Sequence, residues 1–187
     1  MHRLIWLNLI LLVFVLDLSA QSEKGEIRGY KVYEADVRVA YSAQCNPRSD
    51  FNLFVSLGDP AADSISVSGL TIEVPASFCS AEHGGQIDFL AFRDMQVNGL
   101  PVEVEEFRKP FRFSKKDVVE LPAPTRLVIG SGSIVKTAYR QLVDSKTDWS
   151  VTGTVLVFGK FKKAGFSFKR VIPVKIDIKI PNPLQGR

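Results

Sequence analysis

The sequence predicts a mainly β protein: a single antiparallel β-sandwich with one short helix around residues 134–144. Apolar and polar residues alternate with a period of two along several segments, as in half-buried strands. Turn-forming Gly, Pro and Asn residues separate these segments at short intervals. One segment alone has helical periodicity, and no repeat or interdomain linker is visible. We therefore expect one domain over residues 21–187.

The first predicted strands lie in the N-terminal half. Residues 30–42 (YKVYEADVRVAYS) alternate apolar and charged side chains, and residues 51–57 (FNLFVSL) repeat the pattern. Residues 58–63 (GDPAAD) form a turn-like cluster. We interpret residues 64–74 (SISVSGLTIEV) as one strand in which Gly69 introduces a bulge.

A hairpin is predicted in the middle of the chain. Residues 87–107 consist of two alternating runs on either side of Asn98-Gly99, a dipeptide that favours two-residue hairpin turns. Short extended segments follow at residues 110–113, 117–121 and 125–130, and prolines separate them. Several short strands at this spacing are typical of a β-sandwich.

The helix is predicted from the apolar positions of SIVKTAYRQLVDS. These recur at i, i+3, i+4, i+7 and i+8, and Ser133 can cap the helix. The apolar residues are Val135, Ala138, Tyr139, Leu142 and Val143. Residues 149–159 then return to a strand pattern, and we expect Trp149 to pack in the core.

The last strand has the most regular alternation in the chain. One set of side chains is expected to point into the core: Phe166, Phe168, Ile172, Val174, Ile176, Ile178 and Ile180. Arg170 interrupts this apolar series. Lysines and an aspartate occupy the alternate positions, so the other face of this strand is expected in water.

The N-terminal residues have the pattern of a secretory signal peptide. Arg3 precedes an apolar run over residues 4–16, and small residues follow at 18–20. The run is short for a membrane span, which needs about 20 apolar residues, although an uncleaved anchor stays open. We expect cleavage after residue 20 and an exported protein, periplasmic or secreted.

Charge and cysteine content agree with an exported protein. The chain has 24 Lys and Arg residues against 20 Asp and Glu, a formal net charge of +4. This mild excess favours weak adhesion to anionic surfaces, whereas nucleic-acid binders concentrate more positive charge on one face. The two cysteines, Cys45 and Cys79, are expected to form a disulfide. Two buried thiols are the alternative.

A basic and aromatic stretch, GKFKKAGFSFKR, covers residues 159–170. We interpret residues 159–165 as the turn of a hairpin, with Phe166 and Phe168 beyond it in the core. Lysines at hairpin tips and sheet edges keep sheets from pairing with one another, so a solvated tip is one interpretation. The other is an anion-binding or membrane-binding site formed by Lys160, Lys162, Lys163 and Lys169.

No pattern for catalysis is found. His83 is the one histidine after the predicted signal segment, and no nucleophile-elbow motif accompanies it. Glu103, Glu105 and Glu106 could supply carboxylates for glycoside hydrolysis. However, Glu103 and Glu105 alternate with valines, which indicates a solvated strand face. We therefore predict that the protein is not an enzyme.

Metal ions and cofactors are not expected either. Cys79, Glu82, His83 and Asp88 are close in sequence, but they lack the paired ligand spacing of a zinc site. A disulfide at Cys79 would also remove the thiolate that a metal needs. The chain contains no phosphate-binding loop, and we expect no nucleic-acid partner.

Three motifs are similar to those of a known family. Residues 37–53 (VRVAYSAQCNPRSDFNL) contain a strand that leads into an Asn-Pro-x-Ser turn, and residues 89–107 contain two strands joined by Asn-Gly. Residues 149–159 and 169–183 are similar to closing strands. Together they resemble the WHy-type (water stress and hypersensitive response) domains of late-embryogenesis-abundant proteins. The resemblance implies an immunoglobulin-like or fibronectin-III-like sandwich without catalytic residues, and a role in stress protection or membrane-adjacent interaction.

The sequence therefore favours an exported, non-enzymatic β-sandwich with a binding, interaction or stress-protective role at the cell envelope. Its expected partner is an envelope protein or an anionic membrane surface. A carrier of an apolar ligand or lipid is the alternative, since a Phe-rich core between two sheets can open into a pocket. A hydrolase built on Glu105 or His83 is a third, weaker hypothesis.

Overall fold

The computed structural model describes residues 25–44, 52–66, 69–130, 148–163 and 165–184. The signal segment, Cys45 and the helix predicted at residues 134–144 lie outside these ranges. Within them the chain is mainly β and contains no helix, which confirms the predicted class. The strands of this described part are β1 (Glu26–Ile27), β2 (Tyr30–Val32), β3 (Val37–Tyr41), β4 (Leu53–Leu57), β5 (Ala61–Ser66), β6 (Gly69–Val74), β7 (Ala76–Ser80), β8 (Gly84–Val97), β9 (Leu100–Pro101), β10 (Glu103–Val104), β11 (Phe111–Phe113), β12 (Val118–Glu120), β13 (Thr125–Gly130), β14 (Asp148–Lys163) and β15 (Phe166–Pro181).

These strands form three sheets. Sheet 1 has the order β1-β2-β15-β14-β8-β11, and β9 pairs with the end of β8. Sheet 2 has the order β10-β13-β6-β5, and sheet 3 has the order β12-β7-β4-β3. The long strands β8, β14 and β15 form the centre of sheet 1. Apolar side chains from all three sheets meet in one large core cluster.

Most neighbouring strands run antiparallel, as predicted, but two pairs are parallel. Val39 of β3 lies opposite Val55 of β4, and Lys31 of β2 lies opposite Arg170 of β15. The prediction of a wholly antiparallel arrangement was wrong for these pairs. Side chains alternate with a period of two in parallel and antiparallel strands alike, so alternation does not reveal the direction of the neighbour.

The described residues 64–66 and 69–74 belong to two strands instead of the single strand predicted over residues 64–74. Ser66 of β5 is paired with Gly69 of β6, so the chain reverses between them. The predicted turn at residues 58–63 is also shorter, because β5 begins at Ala61. At Gly69, φ is +143°, and a Cβ would lie 2.2 Å from the carbonyl oxygen of Ile129. The glycine therefore permits a close approach of β13.

Two other local predictions are confirmed. Asn98 and Gly99 join β8 to β9 with φ values of +51° and +79°, the positive pair that a type I′ turn requires. The turn is also tied to β14, because the Asn98 side chain accepts a hydrogen bond from the Ser150 amide at 2.8 Å. Trp149 is the second residue of β14 and is almost fully buried in the core, as predicted.

Sheet 1 buries side chains on both faces. Its inner face, with Ile87, Val157 and Ile172, belongs to the core cluster shared with sheets 2 and 3. Its outer face has a smaller cluster that includes Phe158 and Val171. The N-terminal hairpin (residues 26–32) packs against this outer cluster with Ile27, Tyr30 and Val32.

The two long sides of β15 differ in their partners. Along one side the strand pairs with β14 from Phe166 to Pro181. Along the other side it pairs with β2 at Arg170 and Val171 only. From Ile172 onward this edge has no ladder partner among the described residues, and Pro173 interrupts its series of amide donors.

Candidate functional site

The candidate site is the end of the β14–β15 hairpin, residues 159–163 and 165–170, here called the hairpin end. The two strands continue until Lys163, whose backbone pairs with that of Phe166. The connection is therefore shorter than the predicted turn over residues 159–165. An extended pair of strands fixes which side chains share a face, because alternation and cross-strand pairing assign every position.

Three of the four predicted lysines lie together on one face. Lys160 is directly opposite Lys169, and Lys162 is opposite Ser167. All three lysines are exposed. By alternation from Phe158, this is the outer face of sheet 1. The side chain of Lys163 lies outside the described residues.

The three lysines of this face are not engaged in ion pairs within the described part of the chain. Among the described residues, no Asp or Glu forms an ion pair with Lys160, Lys162 or Lys169. Lys169 instead places its Nζ 5.7 Å from the centre of the Tyr30 ring. Like charges directly opposite each other destabilise a strand pair. An anion bound between Lys160 and Lys169 would remove that repulsion.

Phe166 and Phe168 do not lie in the core, and this prediction was wrong. Their alternation is as expected, since Phe168 lies opposite the buried Phe161 on the inner face. However, Phe168 is 40% exposed and Phe166 is 69% exposed. The strands continue past the end of the core cluster, which includes Phe161 but neither of these two rings. The hairpin end thus exposes lysines on one face and aromatic rings on the other.

The outer face next to the lysines contains a partly buried polar contact. The Tyr30 hydroxyl donates to Asp88 at 2.9 Å, and the Gln86 side-chain amide donates to the same carboxylate at 2.9 Å. Burial, together with the hydrogen bond to Asp88, raises the pKa of Tyr30. The β8–β14 register shifts here, between Phe158 and Gly159. These contacts attach the N-terminal hairpin beside the lysine face.

The residues weighed for metal binding are not brought together. Asp88 is engaged on the outer face by Tyr30 and Gln86, whereas His83 lies near Phe161, with its Nδ1 3.8 Å from Glu82. In the part of the chain that is described, no three His, Cys, Asp or Glu side chains are grouped as metal ligands would be.

No helix of the described residues has the length and apolarity that a membrane crossing requires.

Cys79 lies near the end of β7 and is almost fully buried. Its backbone neighbours are Phe54 of β4 on one side and Val118 of β12 on the other. The pairing of Cys79 with Cys45 stays a prediction, because Cys45 lies outside the described residues.

Among the three glutamates weighed for hydrolysis, Glu106 is held between two arginines. It accepts a hydrogen bond from Arg28, in the turn of the N-terminal hairpin, and another from Arg108 at 2.6 Å. The hydrogen bond from Arg28 lowers the pKa of Glu106, partial burial opposes this, and Arg108 lowers it further. Glu103 and Glu105 are exposed. A carboxyl group with a lowered pKa is a weak proton donor near neutral pH.

This ion pair predicts a pH-dependent attachment of the N-terminal hairpin. Because the pKa of Glu106 is lowered on folding, the contact stabilises the hairpin above the ordinary carboxyl pKa of 4.5 and is lost as the pH falls below it. Hydrogen-exchange protection of the Val32 and Tyr33 amides, which bond to Gly25 and Val171, should fall on acidification by up to about fivefold. Glutamine has no carboxylate to protonate, so the fall in protection on acidification should be smaller in Glu106→Gln. An equal fall in protection in that variant would contradict the role given to Glu106.

An apolar cavity of about 110 Å³ lies in the interior between the sheets. Its walls include Ile87 and Val157 from sheet 1, Val74 and Leu127 from sheet 2, and Val55 from sheet 3. Ligand pockets in proteins typically have volumes of about 300–1,000 Å³. The cavity can hold a small apolar group, and a lipid chain would require the sheets to separate.

Comparison with known proteins gives limited information. No family model matches the chain, and no curated protein matches it. One similar solved structure is a crystal structure of a protein from Archaeoglobus fulgidus, with 10% identity, a TM-score of 0.38, and coverage of 65% of this chain and 93% of that chain. Another is the solution structure of a protein described as late embryogenesis abundant (LEA), with 8% identity, a TM-score of 0.32, and coverage of 72% and 75%. At these scores, neither likeness bears on function.

Proposed function

We propose that this is an exported, non-enzymatic binding protein of the cell envelope that attaches to anionic membrane surfaces through the hairpin end. The main observation behind the proposal is that the two faces of the β14–β15 strand pair expose different kinds of side chain. Lys160, Lys162 and Lys169 form a positive face that has no ion pair among the described residues, and Phe166 and Phe168 are exposed on the opposite face. A stress-protective role of the resembled domains fits attachment to a membrane.

The two faces suit the boundary between lipid headgroups and acyl chains. Amphipathic segments at membrane surfaces bury aromatic residues in this boundary and keep lysines among the headgroups. Each lysine near an anionic surface contributes about 1 kcal/mol of attraction. Phe166 and Phe168 would add apolar burial that does not depend on salt. An electrostatic and an apolar component are therefore both expected.

For the fold, we propose a sandwich of the immunoglobulin or fibronectin-III kind and a relationship to the WHy-type LEA domains. Two features support the sandwich: the inner face of sheet 1 contributes to one core with sheets 2 and 3, and most pairs are antiparallel. The relationship to the WHy type rests on the sequence motifs, including the Asn98-Gly99 turn. The carrier hypothesis has weaker support, because the interior cavity is smaller than typical ligand pockets.

Co-sedimentation with lipid vesicles tests the attachment. We expect the protein to pellet with anionic vesicles at low salt, to be released as salt rises, and not to pellet with zwitterionic vesicles. The triple variant Lys160→Gln, Lys162→Gln, Lys169→Gln should bind about a hundredfold more weakly, since three lysines at about 1 kcal/mol each are lost.

A matched control variant distinguishes binding through the hairpin end from binding through the net charge of the protein. Lys109, Lys175 and Lys179 are also exposed but lie outside the hairpin end, so replacing them by glutamine removes the same three charges. This control variant should bind nearly as well as the native protein. Equal losses in the two triple variants would mean that overall charge, not the hairpin end, drives adhesion. Absence of pelleting at low salt would refute the proposed attachment.

A further inference from the structure

A cleft of about 230 Å³ opens on the inner side of the hairpin end. Three buried apolar residues form its floor: Leu53 of β4, Phe161 of β14 and Ile172 of β15. Tyr33 and Phe168, both partly exposed aromatic residues, form its walls. The cleft is therefore apolar at its base and open to solvent between two rings.

Apart from the Tyr33 hydroxyl, the polar side-chain groups that line the cleft are few. They come from Arg170, His83 and Asn52. Asn52 uses its side-chain oxygen to accept a hydrogen bond from the Asp36 amide at 3.3 Å. No aspartate or glutamate lines the cleft in the described part of the chain.

Arg170 is the residue that interrupts the apolar alternation of the last strand. It lies on the inner face between Phe168 and Ile172, where the pattern calls for an apolar side chain, and it is half-buried. Its guanidinium carbon stacks 5.3 Å from the centre of the Phe168 ring, and one of its nitrogens donates to the Lys169 carbonyl oxygen at 3.0 Å. Among the described residues, it has no carboxylate partner.

The Arg170 guanidinium forms no ion pair among the described residues, so its charge can pair with an anion that enters the cleft. The stacking on Phe168 orients the planar group, and a planar guanidinium matches a carboxylate in a bidentate manner. A single positive charge balances a monoanion better than a phosphate monoester, which carries a charge of about −1.5 to −2. The apolar floor below it favours a ligand with an apolar body.

We infer that this cleft binds a small organic carboxylate with an apolar body, whose carboxylate contacts Arg170 and whose body packs on Leu53, Phe161 and Ile172. His83 and Asn52 also line the cleft and can add hydrogen bonds. The two proposals share Phe168, but the inference does not depend on the proposed membrane attachment, because the hairpin lysines face the opposite side of the strand pair from Arg170.

Calorimetric titration of the purified protein with octanoate, and with octanol as its neutral analogue, tests this site. We expect octanoate to bind at least about tenfold more tightly than octanol, because the carboxylate forms charge-assisted hydrogen bonds with Arg170. Arg170→Met keeps the apolar stem and removes the charge. It should weaken octanoate binding by about tenfold or more and leave octanol binding unchanged.

The triple glutamine variant of Lys160, Lys162 and Lys169 is the control, and it should keep octanoate affinity within about twofold while losing vesicle binding. Failure of vesicle binding alone would thus leave the cleft assignment intact. Equal affinities for octanoate and octanol, undetectable octanoate binding, or full octanoate affinity in Arg170→Met would each overturn the inference. If Arg170→Met does not fold, the comparison of octanoate with octanol in the native protein decides.

Discussion

Replacing Phe158 by alanine should lower the free energy of unfolding by about 3–5 kcal/mol. The side chain is 0% exposed and lies in the outer cluster of sheet 1. Its ring stacks on Phe89 with a centroid distance of 4.2 Å and meets the edge of Tyr30 at 5.2 Å. The substitution removes both ring contacts and leaves a cavity that rigid strands cannot close.

Urea-induced unfolding of the native protein and the variant measures this loss. Phe168→Ala is the matched control, because Phe168 lies in the same strand pair but is 40% exposed, and it should cost less than about 1 kcal/mol. A cost below about 1.5 kcal/mol for Phe158→Ala would mean that the outer cluster is not a rigid second core.

The second large effect is expected at Gly153, where alanine should destabilise the fold by about 3–5 kcal/mol. The residue lies in β14, where its register against β8 shifts between Thr152 and Thr154. Its φ is +147°, and an added Cβ would lie 2.4 Å from Sδ and 2.9 Å from Cα of Met95. Backbone strain and steric overlap therefore act together.

Gly99→Ala separates these two causes. Gly99 also has a positive φ, +79°, but a Cβ there would meet no atom within 4 Å. It should cost about 1–2 kcal/mol, the strain of a left-handed residue without overlap. Both variants are compared by their thermal midpoints and urea midpoints. Equal costs at the two glycines would show that the contact with Met95 relaxes freely.

Local patterns predicted the strands well where one face is buried along its whole length. The isoleucines of β15 and the Asn98-Gly99 turn are examples, because period-two alternation and positive φ are both local properties. The two rings Phe166 and Phe168 continue the same alternation as Ile172. No local sequence pattern indicates that the core ends before Phe168 is reached. The burial of Phe166 and Phe168 was therefore overestimated.

The arrangement of strands depends on partners that are distant in sequence. The parallel pairing of β3 with β4, and that of β2 with β15, leave no trace in the alternation of either strand. The N-terminal hairpin had a weak signal, an Arg28-Gly29 pair between Ile27 and Tyr30, with φ values of +53° and +76° at the turn. Since arginine rarely adopts a positive φ, this turn was difficult to recognise from residue preferences.

For the candidate sites, too, local features could be predicted from the sequence, and features that depend on distant residues could not. The opposite faces of the lysines and phenylalanines in residues 159–170 followed from alternation, and the register confirms them. The cleft could not be predicted, because its residues come from five separate segments of the chain. Arg170 was nevertheless visible in the sequence as a charged residue in an apolar series, and this irregularity marks the cleft.

The partly open side of β15 has a consequence for self-association. A long strand with free amides and carbonyls can template pairing with a second molecule, and that pairing leads to cross-β aggregates. Beyond Val171, this edge contains Pro173, which has no amide hydrogen to donate, and alternating charges at Lys175, Asp177 and Lys179. The charges disfavour stacking of identical strands by repulsion, and Pro173 removes one hydrogen bond that such pairing would need. Both features therefore oppose fibril growth. The same two features oppose edge-to-edge association between copies of the protein at high concentration.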